Sequence, residues 1–233
     1  MTGKRCAVAI FVKTPGLSPL KTRLAEGIGK EAAEKFHELS ARATEEAVET
    51  AAVHLDDAVE LELIWAVAEQ EGLNHPLWAR HPTLLQGEGG LGERLAQVYS
   101  SLLQTHEAVI FLGADAPHLV PTMVSRAVTS CLQSEGYVVG PASDGGFYLF
   151  GCRHPIAPAQ WQSVGYSSSE TLSALEHALF PYNRTETLPV LGDVDTRADF
   201  QAVHDHLSAL TDQKLLASQK QLLTFMGHVL QRQ

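Results

Sequence analysis

Val109-Ile110-Phe111-Leu112-Gly113-Ala114-Asp115-Ala116-Pro117 is the stretch on which the reading of this chain turns. Its bulky and β-branched apolar run predicts a strand buried on both faces, as in a parallel sheet. Pro117 has no N–H to give a ladder and biases Ala116 away from helix, so the strand stops here. Asp115 then stands at the carboxyl end of a central strand, where open α/β sheets bind ligands. A carboxylate held there among small residues suits a hard cation and a phosphate. Read alone, Asp115 equally fits a cap for the helix that begins near Val120.

The bulk properties bound the classes. A chain of 233 residues, 45% hydrophobic and 19% charged, is enough for one α/β domain with a real core. A formal net charge of −10 excludes a general nucleic-acid binder, which needs a basic stripe. Small phosphorylated ligands need only a few local cations. Cys6, Cys131 and Cys152 are far apart and form no CxxC pair, which points to reduced core residues and a cytoplasmic setting. No window is long and apolar enough to span a membrane, and the run from Cys6 to Val12 is too short for a signal segment.

That run is instead the first strand, about Arg5 to Val12. It feeds a loop, Lys13 to Leu24, in which two prolines and a glycine forbid regular structure between Thr14 and Pro19. Lys13, Lys21 and Arg23 gather there in an otherwise acidic chain. A strand, a cationic loop and a helix start in that order suit phosphate, although no GxxxxGK[ST] loop is present. A long helix from Lys30 to Val53 and a second strand from Leu61 to Val67 follow. Gly72 to His81 reads as a short helix whose His75 and His81 have no ligand-type spacing to a neighbouring Cys or carboxylate. Gly87-Glu88-Gly89-Gly90-Leu91-Gly92-Glu93 then lets backbone approach a ligand closely and opens a helix from Leu91 to Leu103.

After Asp115 the pattern gives a helix from Pro121 to Ser134, a strand from Tyr137 to Pro141, and a sharp turn at Ser143-Asp144-Gly145-Gly146 that returns as a strand. Asp-Gly is a hairpin signal, and the same turn could present Asp144 to a ligand. Ser168 or Ser169 is expected to cap a helix that runs to Leu179, with Glu170 in its first turn. A last strand, Arg184 to Val190, leads into Gly192-Asp193-Val194-Asp195-Thr196. There one carboxylate is expected to cap the helix Arg197 to Leu210, and only one to face a ligand, because alternate residues of extended chain point oppositely. His204 and His206 lie on that helix and read as solvated. Residues 1–210 read as one catalytic domain, and 211–233 as an amphipathic helix packed on the core or on a second subunit.

Four stretches together resemble a known family: "FVKTPGLSPLKTRLA", "QGEGGLGERL", "IFLGADAPHL" with "VVGPASDGGFYLFG", and "GDVDTRADF". In this order they are similar to the bacterial GT-A-type glycosyltransferases of the DUF2064 group, relatives of the nucleotide-diphospho-sugar transferases and of the 2-phospho-lactate guanylyltransferases. The resemblance implies an α/β, Rossmann-like three-layer fold with a mostly parallel mixed sheet, dependence on Mg²⁺ or Mn²⁺, and a nucleotide-activated substrate. It implies phosphate or nucleotide binding by Lys13, Lys21, Thr22 and Arg23, and by Gly87, Gly89, Gly90 and Glu93. It places Asp115 as a metal-binding aspartate and Asp195 as a second acidic ligand. Asp144, Gly145 and Gly146 match the acceptor side, and Asp115, Asp144, Lys21 and Arg23 are the catalytic candidates. The chain departs from the family's loop in Pro15-Gly16-Leu17-Ser18-Pro19-Leu20, and from its Trp-Ser/Thr pattern at Val164-Gly165-Tyr166-Ser167-Ser168.

The expected activity is transfer of a sugar from a nucleotide-diphospho-sugar to a small acceptor, with Asp144 orienting or deprotonating the acceptor hydroxyl. Nucleotidyl transfer from an NTP with release of pyrophosphate is the alternative, since both chemistries place a metal on a polyphosphate. A nucleotide-binding module without turnover is the third reading.

Overall fold

The computed structural model describes residues 3–231. Seven strands form one sheet: β1 (Lys4–Val12), β2 (Val59–Val67), β3 (Thr83–Leu85), β4 (Ala108–Gly113), β5 (Tyr137–Pro141), β6 (Phe147–Cys152) and β7 (Arg184–Thr187). Their order is β3-β2-β1-β4-β6-β5-β7, and only β6 runs antiparallel to its neighbours. Among the described residues eight α-helices accompany them: α1 (Thr22–Ile28), α2 (Lys30–Val53), α3 (Leu91–Leu102), α4 (Pro121–Gln133), α5 (Pro158–Gln162), α6 (Thr171–Ala178), α7 (Arg197–Ser208) and α8 (Ala217–Gln231).

The period of two in β1 makes the layers. Cys6, Val8 and Ile10 pack toward the buried faces of α2 and α4, while Ala7 and Ala9 pack toward α3, α5 and α6. A third cluster, with Phe36 against Phe200 and Leu222 and Met226 from α8, joins α1, α2, α7 and α8. The three cysteines are buried and free, and burial pushes the Cys6 thiol up to about 12. Among the described residues no helix is long and apolar enough to cross a membrane.

Strand order reverses at β1, which lies between β2 and β4, so the carboxyl ends of β1 and β4 open the crevice where such sheets take ligands. Val12 leads from β1 into the cationic loop, and Gly113 leads from β4 to Asp115.

Several boundaries differ from the sequence reading, each for a local reason. In place of a helix from Gly72 to His81 there are two 3₁₀ turns, Gln70–Asn74 and Pro76–Trp78, because Pro76 holds His75 in extended conformation (ψ 135°). Glu170, rather than Ser168 or Ser169, is the N-cap of α6, and the Ser168 hydroxyl accepts from its N–H. Neither Asp193 nor Asp195 caps α7: Thr196 does, accepting from Asp199 N–H while Asp199 accepts from Thr196 N–H at 2.7 Å. Strand β7 stops at Thr187, two residues before Pro189. The last segment begins with a 3₁₀ turn, Asp212–Lys214, and its helix starts only at Ala217, packing on α2 and α7. Arg232 and Gln233 lie outside the described residues.

Candidate active site

Asp115 does not cap a helix. The N-cap of α4 is Val120, whereas Asp115 Oδ2 lies 2.9 Å from Lys21 Nζ. Lys21 reaches it from the start of α1 with φ 47° and ψ 38°, left-handed values that side chains adopt at a cost of about 1 kcal/mol. Its ammonium also donates to the carbonyl of Val194 at 2.5 Å, and Val194 N–H donates to the Asp115 carbonyl at 3.1 Å. The strap 193–195 is thus tied to both ends of the pair. The Lys21 side chain is only 6% exposed, while that of Asp115 is 44% exposed, at the floor of an open cleft.

His37, on α2, completes the surroundings. Its Nε2 lies 3.0 Å from the carbonyl oxygen of Lys13, which makes that nitrogen the N–H donor. Nδ1 faces Asp115 Oδ1 at 3.9 Å and favours the carboxylate when it too carries a proton. Burial works against the charge of Asp115, but the Lys21 ammonium and then His37 outweigh it and bring the carboxyl down to about 2. Asp115 is a fixed anion at neutral pH.

The loop carrying Asp115 is pinned from behind. Ser40 Oγ donates to the carbonyl of Ala114, and the Gln219 amide of α8 donates to Pro117 O at 3.0 Å and Leu119 O at 3.1 Å.

Two cavities meet at Asp115, Phe11 and Leu91. One, of about 460 Å³, is lined by Lys13, Lys21, Thr22, Gln86, Arg94 and Asp195 among others. The second, of about 390 Å³, has Asp115, Asp144 and Asp193 with Phe147, Tyr148 and Tyr166. The carboxyl of Asp193 is raised above the ordinary value, first by burial and then by repulsion from Asp144, with a smaller push from Asp115.

The candidates read from sequence therefore separate into groups. Lys13, Lys21, Thr22, Asp195 and Asp115 share the first cavity, and Asp115, Asp144 and Gly146 share the second. Asp195 and Arg23 are paired with each other at 2.8 Å on the outer side. Gly87 and Gly89 have φ 90° and 89°, but Gly87, Gly89, Gly90 and Glu93 line neither cavity, and Glu93 folds back to accept from Gly90 N–H at 2.7 Å. Gly145 has φ 91°, and a Cβ there would lie 2.1 Å from Ser169 O, so this glycine serves docking of the turn on the start of α6. Asp144 Oδ1 accepts from Gly146 N–H at 2.8 Å, which fixes the carboxylate on the turn.

Sequence reasoning missed His37 and Arg94. Both lie on helices whose apolar period dominates the local pattern. Arg94 had one available signal, a cation in the first turn after the glycine loop; its guanidinium donates back to Gly89 O at 3.0 Å. His81, read as lacking ligand-type neighbours, lies 3.3 Å from Glu45 and 3.0 Å from Glu49 through tertiary contact. That trio is the one set of three acid and imidazole donors within 4.8 Å of one another among the described residues, and Arg42 and Arg80 already engage its carboxylates.

The fold is shared with solved structures of nucleotide-handling enzymes. A candidate nucleotide-diphospho-sugar transferase from Desulfovibrio desulfuricans G20 superposes with a TM-score of 0.77 at 21% identity over 97% of each chain. The CMP:2-keto-3-deoxy-manno-octonic acid synthetase solved with CTP gives 0.53 at 13% identity, over 88% of this chain and 99% of that one. Glucosyl-3-phosphoglycerate synthase from Mycobacterium tuberculosis, solved with Mn²⁺, UDP and glucosyl-3-phosphoglycerate, gives 0.51 at 12%, over 97% and 80%. These identities speak for the fold: the molecule has the Rossmann-like architecture of GT-A and nucleotidyltransferase proteins. Within that class, residues 48–168 match DUF2064, described as an uncharacterized protein conserved in bacteria, and the chain belongs to that family. No protein of curated function matches it in sequence.

Proposed function

We propose that this protein is a metal-dependent transferase that moves a sugar from a nucleotide-diphospho-sugar to a small acceptor. The observation that carries this reading is the position of Asp115 at the junction of a cavity with cations and a cavity with carboxylates. The first suits the diphosphate, with Lys13 and Arg94 as its charged wall; the second suits the group that receives the sugar. Lys21 is spent on Asp115 and Val194, so its part is to hold the aspartate charged and in place.

The oxygen donor set fits Mg²⁺ or Mn²⁺. Asp115 and Asp193 share a cavity with Asp144, and the carboxyl of Asp193, raised first by burial and then by Asp144, is one whose charge a hard cation would favour. A divalent ion bound there would neutralise charge on the diphosphate leaving group. We place Asp193 in the metal set in preference to Asp195, which is paired with Arg23. Asp144, held by Gly146, would orient the acceptor hydroxyl or take its proton. A homodimer through α8 and the role of residues 211–233 belong to the same proposal, although the apolar residues of α8 pack on α2 and α7.

Nucleotidyl transfer remains the second reading, supported by the same cationic loop after β1. Products separate the two. The protein with Mn²⁺ is offered UDP-, GDP- and dTDP-sugars and, separately, NTPs with sugar phosphates. Release of a nucleoside diphosphate supports glycosyl transfer, and release of pyrophosphate supports the alternative. Nucleotide binding with neither product favours a binding module, and no binding contradicts all three.

A further inference from the structure

The cavity on the Asp144 side has a chemistry that says what it accepts. Its charged wall is three carboxylates, Asp115, Asp144 and Asp193, and no Lys, Arg or His is among the residues that line it. The cation behind it, Lys21, is 6% exposed, gives two of its three N–H donors to Asp115 and the Val194 carbonyl, and lines the other cavity and not this one. A divalent ion held by Asp115 and Asp193 would serve the donor diphosphate, and Asp144 is the remaining carboxylate of the wall. A phosphate dianion brought there would meet three carboxylates and no Lys, Arg or His side chain to offset its lost hydration.

The rest of the wall is aromatic. Tyr148 donates its hydroxyl to Pro189 O at 3.0 Å, and Tyr166 donates its own to Trp161 O at 3.0 Å. Both phenol groups are thus spent inside the protein, and with Phe147 they offer the cavity ring surface. The hydroxyls of Ser168 and Thr171 are turned to the carbonyl of Gly165. Polar recognition falls to Asp144, a pure acceptor of hydrogen bonds that matches O–H and N–H donors, with the exposed Ser167 beside it. Ring walls with one acceptor carboxylate are the arrangement that holds the apolar face of a polyol and its hydroxyl edge.

We propose that this cavity takes an uncharged or amine-bearing acceptor, with hydroxyl or amino donors and a flat apolar face, and rejects phosphorylated acceptors. The inference rests on the transferase reading for its meaning, but its test does not need turnover. Saturation-transfer NMR on the intact protein, freed of divalent ions with EDTA, compares methyl β-D-glucopyranoside, glucosamine and glucose 6-phosphate at equal concentration. The first two are expected to bind, with glucose 6-phosphate weaker by roughly tenfold, the scale of one or two partly screened charges. Asp144→Lys, at an exposed turn position, should close or reverse that gap, and Phe147→Ala should weaken the two binders. Glucose 6-phosphate binding as well as the neutral sugar, a gap unmoved in Asp144→Lys, or no binding by any of the three would overturn it. Sugars bound by a protein that binds no nucleotide would leave this pocket assignment standing and contradict the transferase reading; nucleotide bound and sugars ignored would do the reverse.

Discussion

Lys21 and Asp115 form a 2.9 Å ion pair in which the cation is buried and the anion faces the cleft. Ordinarily a lysine is the partner left in solvent. Here its charge is turned inward, so the carboxylate is presented to ligand with its ionisation already secured.

The pair sets an acid limb for stability. The carboxyl of Asp115 lies below its unfolded value, so its contribution is present above about pH 4 and is lost as pH falls through about 2. Because the Asp115 side chain is 44% exposed, solvent screening limits this to roughly 1 kcal/mol. Urea unfolding of Lys21→Met should show a deficit of that order at pH 7 that shrinks at pH 2.5. A deficit independent of pH would mean that packing, and not charge, is what Lys21 contributes.

The backbone of Lys21 makes an independent prediction. At φ 47° a residue with a Cβ is strained and glycine is not. Lys21→Gly should therefore be more stable than Lys21→Ala, by about 1 kcal/mol. Equal stabilities would show that the left-handed conformation relaxes once the side chain is gone.

Asp193 titrates in the opposite sense. Its raised carboxyl makes ionisation a cost in the folded state, a cost that appears as pH rises through the ordinary carboxylate range. Asp193→Asn should leave the metal-free protein unchanged or stabilised, by up to about 1 kcal/mol at pH 7. The same substitution should reduce the melting-temperature rise produced by Mn²⁺ with a nucleotide. A protein destabilised by Asp193→Asn would contradict the like-charge account.

Gln219 links the last helix to the site loop through two hydrogen bonds, to Pro117 O and Leu119 O, and is 1% exposed. Gln219→Leu leaves both carbonyls without that donor and should cost about 2 kcal/mol. If the helix serves the loop, the Mn²⁺-dependent shift should fall as well, and restoring stability with a stabilising substitution elsewhere should not recover it.

The strand-end position of Asp115 was legible because the apolar run and Pro117 are local signals, and the sheet put them where the pattern implied. The long helix Lys30–Val53 and the strand Tyr137–Pro141 matched to the residue for the same reason. The partition of the two cavities was not legible. Whether Asp193 or Asp195 faces Asp115 depends on how Lys21 captures the Val194 carbonyl, a contact across 173 positions in sequence. The caps went astray where several polar residues competed: Thr196 and Asp199 satisfy each other, and the nearer aspartates are released for the cleft. His37 carries no sequence mark, because a histidine on the apolar face of an alanine-rich helix has the pattern of a packed core residue.

Titration of Mn²⁺ in the presence of a nucleoside diphosphate, followed by the loss of the free-ion paramagnetic resonance signal, addresses the central claim most directly. Asp115→Asn and Asp193→Asn should each weaken Mn²⁺ binding at least roughly tenfold, the order expected for loss of a charged ligand or its direct support. Asp195→Asn, at an exposed pair with Arg23, should leave it nearly unchanged. Wild-type Mn²⁺ affinity in a folded Asp115→Asn protein would contradict the account.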